Sequence, residues 1–430
     1  MKRKSNVEDV ASKLEGYVSE DSAIPVTKED IKALKEGKVP NSLKNAYKNE
    51  KVDLKNYMDL QYYGPLKVGS AGKEFTLVYD TGSSWLWIPN QNCSGCPTRN
   101  TFDSEGSTTY QTEGVRKTLS YGKGQVEGII ATDNVFMSNS TPSNMNFVNV
   151  DRGTDLSGQQ ADGIVGLTPE STDEGRLLVD VIFESGLIDK PEFLVYIGKE
   201  GVDSSYIEFG EFKGNMTNGT VLEVQPYNSS GIYIYWNITN QGVFYEGLEI
   251  ELSTVDTVWD TGTSILGFPT MDLMTILEVI AGNRETKYYI DVGFFGFGCK
   301  GVEDNIQELQ FKFGDKNVTV SPYEFIQYIR GVCLFFVFDM GAQDFMLLGD
   351  SFLRGSKILH DQENKKVVLF EQKIYDYKNS GGSSSLLWLW VLLGCAGALI
   401  IGITLFCVWR SKSRSRNYDY ARVQDHNNYP

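Results

Sequence analysis

Histidine is almost missing from this chain: its 430 residues contain two, His360 and His426. A nucleophile–histidine–carboxylate machine needs an imidazole beside its nucleophile, and neither the ILHDQ nor the QDHNN context supplies an obvious one. The zinc motif H-E-x-x-H and the phosphate loop G-x-x-x-x-G-K-[ST] are both absent. Positive charge is short too, with 40 Lys and Arg against 56 Asp and Glu and a formal net charge of -16. That balance excludes a dominant nucleic-acid-binding surface. An enzyme with this inventory does its acid–base chemistry with carboxylates, and needs no metal or cofactor.

What the chain does have is 43 glycines, 23 tyrosines and 23 phenylalanines, a mixture that favours short strands punctuated by turns. Residues 1–48 are polar and lysine-rich and read as a separable leader. From there to residue 376 short apolar or alternating runs such as EFTLVYDTG, GIIATDNVFM and GIYIYWNIT predict an all-β body. Helical period is best at 176–188 and 271–282. The body divides into lobes at 49–200 and 201–376, and a Gly/Ser-rich linker occupies 377–385.

Residues 386–409 are 24 uncharged, mostly apolar positions with Trp388, Trp390 and Trp409 near the ends, the pattern of one transmembrane helix. Arg410, Lys412, Arg414 and Arg416 follow and predict a cytoplasmic tail at 410–430, with the rest luminal or extracellular in a single-pass type I arrangement. The sequons at Asn92, Asn139, Asn215, Asn218, Asn228, Asn237 and Asn317 all precede the apolar run, in agreement. The start MKRKSNVEDV lacks the apolar core of a secretory signal, so this topology expects a signal not included in the sequence. In the tail, Tyr420–Val423 fits a tyrosine-based sorting pattern. Cys93 and Cys96 are spaced for a tight loop bridge or for a redox or metal C-x-x-C, and Cys299 and Cys333 offer a second pair.

An internal repeat decides the reading. TLVYDTGSS ends at Ser84 and DTVWDTGTS ends at Ser264, placing Asp80 and Asp260 180 positions apart. Each is followed by an apolar pair and a glycine, Ile164-Val165-Gly166 and Leu347-Leu348-Gly349. A D-T-G puts a carboxylate at a strand tip, with Gly82 and Gly262 allowing a tight turn and close backbone approach. Thr81 and Thr261 complete the motif, and the Ser83 and Thr263 hydroxyls lie within reach of the carboxylate they follow. Two lobes facing each other across a pseudo-twofold axis bring the aspartates together. Such a pair holds one proton between its members and supplies both an acid and a base.

These motifs resemble the pepsin-like aspartic proteases, over residues 50 to 375. NYMDLQYYGPLKVG resembles the family's first mature strand, and VYDTGSSWLWIP and VWDTGTSILGFP its two active-site loops. YGKGQVEG is similar to the substrate-covering flap, which makes Tyr121 and Gly122 the flap pair and Trp87 the tyrosine's partner beneath. The resemblance implies a bilobal fold, Cys93–Cys96 and Cys299–Cys333 disulfides, a monomer, and peptide or protein substrates. It also implies a prosegment in which Lys38 or Lys44 pairs with the dyad. The chain departs from the family pattern at Trp259, just before the second aspartate, at Lys123 in the flap, and in its two-residue first disulfide loop. The expected activity is that of a membrane-tethered aspartic endopeptidase. The alternative is a non-catalytic pepsin-like binding or inhibitor protein. Such a protein generally loses an aspartate, a D-T-G glycine or the flap tyrosine, all kept here. A membrane-attached adhesion module suits the sequons but leaves the repeat unexplained.

Overall fold

Alternation of buried and exposed side chains along Glu50–Tyr57 starts the body as a strand with one face in a core. The computed structural model describes residues 49–377, apart from 97–99, 123, 138–139, 141–142, 172, 174, 228–230, 290–292 and 302–304. The leader, linker, apolar run and tail predicted at 1–48 and from 378 onward lie outside the described residues, as do Lys38, Lys44 and Lys123.

The described body is mostly β, with one 13-stranded sheet and three smaller ones of five, four and four strands. The repeat seen in sequence is repeated in the pairing. Lys73–Asp80 runs parallel to Gly163–Gly166, with Asp80 opposite Gly166. Asp256–Trp259 runs parallel to Met346–Leu348, with Trp259 opposite Leu348. Each inner strand then pairs antiparallel with the strand after its own D-T-G, Trp87–Ser94 or Leu266–Phe268. Those two in turn lie parallel to Ser143–Thr154 and Val337–Asp339. The closing glycines have a steric reason. A Cβ on Gly166 would collide with the backbone of Ser83 and Ser84, and one on Gly349 with the carbonyls of Thr263 and Ile265.

The two halves share an antiparallel sheet. Its order is Thr220–Glu223, Lys366–Leu369, Lys357–Asp361, Glu192–Tyr196, Ser205–Phe209, Glu50–Tyr57, so strands from both ends of the body interleave. Trp87, Trp236 and Trp259 are fully buried. Trp259 is accommodated by aromatic neighbours, lying edge-on to Phe313 at 5.0 Å between ring centres and tilted on Phe352 at 5.4 Å. The large residue before the second aspartate therefore anchors its loop in the core.

Helices form at Leu178–Glu184 and Thr270–Ala281. The first is shorter than its apolar period, because the chain turns at Gly186 with φ +74°. Among the described residues no helix is long and apolar enough to cross a membrane. The structure closes both cysteine pairs, with Cα–Cα separations of 5.8 Å for Cys93–Cys96 and 5.7 Å for Cys299–Cys333. Asn92, Asn215, Asn218 and Asn317 are exposed, and Asn139 and Asn228 lie outside the described residues. Asn237 corrects the sequon reading: it is buried on the strand Asn237–Thr239, where a glycosyl chain has no room in the folded protein.

Candidate active site

The two D-T-G loops are held to each other by their threonines. Thr81 N–H donates to Thr261 Oγ1 at 3.1 Å, and Thr261 N–H donates back to Thr81 Oγ1 at 3.0 Å. Each hydroxyl then donates to the backbone of the opposite half, Thr81 to Trp259 O at 2.9 Å and Thr261 to Tyr79 O at 2.5 Å. Both threonines are buried, so all four bonds are shielded from water. This square sets the spacing of the aspartates that precede them.

Asp80 and Asp260 are buried and converge on one point: a Cβ on Gly262 would lie 2.3 Å from Asp80 Oδ1 and 3.1 Å from Asp260 Oδ1. Each accepts the same two bonds from its own loop. Gly82 N–H reaches Asp80 Oδ1 at 2.8 Å and Ser83 Oγ reaches Oδ2 at 2.5 Å. Gly262 N–H reaches Asp260 Oδ1 and Thr263 Oγ1 reaches Oδ2, both at 2.7 Å. The glycines do more than permit a turn. A Cβ on Gly82 would lie 2.5 Å from the Asp260 carboxyl carbon, and one on Gly262 would run into Asp80. Each motif's glycine makes room for the other motif's carboxylate.

Burial pushes the Asp80 carboxyl well above the ordinary carboxylate range, and the charge of Asp260 adds to it; the bonds from Ser83 and Gly82 oppose the rise. Two carboxyl groups in contact retain one proton between them and titrate as a unit. The arrangement thus offers an ionised oxygen to take a proton from water beside a protonated one to give to a carbonyl.

Tyr121 sits at the end of the strand Gln111–Ser120, where the hairpin with Gln125–Phe136 turns. Its N–H closes the turn on Gly124 O at 3.0 Å. The half-buried ring packs on a cluster containing Trp85, Trp87, Val126 and Val148. Burial raises the Tyr121 hydroxyl far above the ordinary tyrosine value, and the Asp80 charge adds to this. Ser83 and the Trp87 indole act in the other direction, although Trp87 Nε1 stops short of a well-formed hydrogen bond. Gly122 is exposed at the tip with open space around its α-carbon.

With this geometry in view, comparison with known proteins is decisive. The family model for the eukaryotic aspartyl proteases matches residues 61–372. The chain belongs to that family. This aspartyl-protease chain is 29% identical to a pepsin A of Bos taurus over 327 residues, covering 74% of this chain and 85% of the relative. It is 26% identical to a vacuolar aspartic protease of Candida albicans over 337 residues, or 75% and 77% of the two. It is 27% identical to a vacuolar protease A of Aspergillus fumigatus over 346 residues, or 77% and 84%.

Sequence reasoning missed several groups around the Asp80–Asp260 pair. Asp350 follows the second repeat glycine, is 1% exposed, and has no hydrogen-bond partner on Oδ1. Burial pushes its carboxyl well above the usual range, Arg354 opposes this, and Asp260 adds to it. Arg354 is itself buried, bonded through Nε to Glu324 Oε1 at 2.7 Å and through Nη1 to Asp59 Oδ1 at 3.2 Å. The D-S-F-L-R run after the repeat carried this signal, since a buried arginine must find carboxylates. His360 is remote chemistry: it stacks on Phe193 at 4.6 Å, and burial lowers its pKa to about 3. The imidazole is a neutral core group.

Proposed function

We propose that this protein is an aspartic endopeptidase that hydrolyses internal bonds of extended peptides in the cleft between its lobes. The observation that carries the reading is the crossed pair of D-T-G loops, which brings the Asp80 and Asp260 carboxyls together around Gly262. Water held between the carboxylates loses a proton to the ionised one and attacks the scissile carbonyl carbon. The protonated partner donates to the carbonyl oxygen, and the proton taken from water goes on to the leaving amine. Burial of the dyad makes these transfers sensitive to a single charge. The reading extends to a zymogen whose leader at 1–48 covers the cleft. It also includes a membrane tether at 386–409 that holds a glycosylated, monomeric protease domain on the non-cytoplasmic side. At full extension the residues from 378 to 385 span about 30 Å, so the cleft works close to the bilayer.

The test is cleavage of a denatured protein over a pH series from acid to neutral, with and without pepstatin. The expected result is pepstatin-sensitive cleavage, lost in Asp80→Asn. Absence of cleavage at every pH, or an Asp80→Asn variant as active as the parent, sinks the reading. Mass spectrometry of the same samples reports whether the leader is cut near residue 48.

A further inference from the structure

The flap hairpin is built with a charged residue facing inward. Along Gln111–Ser120 and into the turn, Lys117, Leu119 and Tyr121 are half-buried while Thr118 and Ser120 are exposed, so the three share the face turned toward the body. Leu119 and Tyr121 pack on the Trp85–Trp87 cluster. Lys117 Nζ lies 5.0 Å from the centre of the Trp85 ring and bonds Asp173 Oδ2 at 2.5 Å. Trp85 donates its indole N–H to the same carboxylate, at 3.0 Å to Oδ1 and 3.2 Å to Oδ2. Gly175 N–H donates to Oδ1 at 3.0 Å, and a Cβ on Gly175 would lie 2.7 Å from the indole. Trp85 is 3% exposed and immediately follows the D-T-G-S-S of the first loop. The Lys117 and Asp173 side chains are 22% and 27% exposed, so the pair is more shielded than an ordinary surface contact.

The neighbouring Arg116 contrasts with it. Arg116 points outward to Glu127 at 2.9 Å and Asp151 at 2.8 Å, both within the strands of its own sheet. The Lys117 pair instead leaves the hairpin and fixes it to the loop that cradles Trp85.

We infer that Lys117, Asp173 and Trp85 form a tether that sets the height of the flap above the dyad, with Asp173 a positioning residue for substrate binding. The tether rests on the endopeptidase reading for its effect on substrate, but not for its effect on the flap. With the pair in place, Tyr121 is held over Ser83 and Trp87, and substrate enters beneath a hairpin fixed at both its base and its inner face. Loss of the pair frees the hairpin to open more often, which weakens binding of extended substrate and leaves the dyad's chemistry alone.

Hydrogen exchange of the peptide 118–125 in the full chain tests this, alongside steady-state cleavage of a denatured protein. Asp173→Asn keeps one acceptor oxygen, which in the Oδ1 position serves both Trp85 and Gly175, but drops the charge; Lys117→Met keeps the aliphatic stem over the indole. Each is expected to speed exchange roughly two- to fivefold, the scale of a half-shielded ion pair. KM should rise by a similar factor with kcat within about twofold. The double variant should match the singles, and Asp173→Glu should restore protection. Unchanged exchange in both singles, single effects that multiply in the double, or faster exchange with KM unmoved would each overturn the tether. If the parent cleaves nothing, exchange still decides the tether, and the endopeptidase reading fails separately.

Discussion

At the scale of the residue, the dyad depends on a few polar atoms that have no substitute. Asp80→Asn removes the group whose proton the pair shares, and cleavage is expected to fall by at least about a thousandfold. The fold should not suffer. Ionising the raised Asp80 carboxyl costs stability at neutral pH, so the amide variant should melt at or above the parent's temperature at pH 7. A variant melting well below the parent would mean that lost activity reports misfolding. Thr261→Val tests the loop square from its other side. It keeps the volume but strands Thr81 N–H and Tyr79 O in a buried setting, each an uncompensated loss. The expected cost is about 1–3 kcal/mol by denaturant titration, together with a fall in kcat, and Thr261→Ser should recover most of both.

At the scale of the element, what the sequence showed was whatever local order writes locally. The strand into each D-T-G, the apolar pair and glycine that close each half, and the flap's turn are all short-range patterns. The fold adds what the pattern did not state, that each pair lies in a parallel ladder with the strand into its own D-T-G, at Asp80–Gly166 and Trp259–Leu348. The reason for the D-T-G glycines was only half legible. Close approach was foreseen, but its object, the opposite aspartate, emerges only when the loops meet. Gly82→Ala should therefore abolish cleavage by displacing Asp260 while leaving the Asp256–Trp259 strand in place, readable by cleavage assay and far-ultraviolet circular dichroism. An active alanine variant would show that the dyad tolerates a wider gap. The Lys117–Asp173–Trp85 contact left almost no trace, because its members come from three segments and a lysine at an inward strand position reads as an ordinary solvated charge. The shared sheet was illegible for a similar reason. Glu50–Leu54 pairs with Ser205–Phe209, and nothing local to either strand names the other.

At the scale of the whole molecule, the balance of buried titratable groups sets how the protein tolerates pH. Asp80, Asp350, Asp180, Glu50 and Glu192 all have carboxyls raised chiefly by burial. Each holds its proton in the folded state above the pH at which the unfolded chain releases it, so the unfolded state binds fewer protons there. Stability from these groups is complete in acid and is lost as pH rises from about 4 through their raised values. His360 works against them. Its folded pKa is about 3 against an ordinary 6.5, so between those values the unfolded chain alone takes up the proton, and stability falls as pH drops. Asp151, Asp173 and Asp203, lowered by their partners, add to the acid-side loss once pH falls below the ordinary carboxylate range. The opposing slopes predict greatest stability in weak acid and a decline toward neutrality. His360→Phe separates them, because phenylalanine keeps a ring stacked on Phe193 and edge-on to Trp236 and cannot take a proton. The variant should gain stability over the parent progressively from pH 6.5 downward, since each tenfold rise in proton concentration favours the unfolded parent by about 1.4 kcal/mol. The gain should reach on the order of 4 kcal/mol near pH 3. Above pH 6.5 the two melting curves should run parallel. A difference that stays constant from pH 3 to 8 would mean that His360 carries a proton inside the fold, and the acid limb would then belong to the paired carboxylates alone.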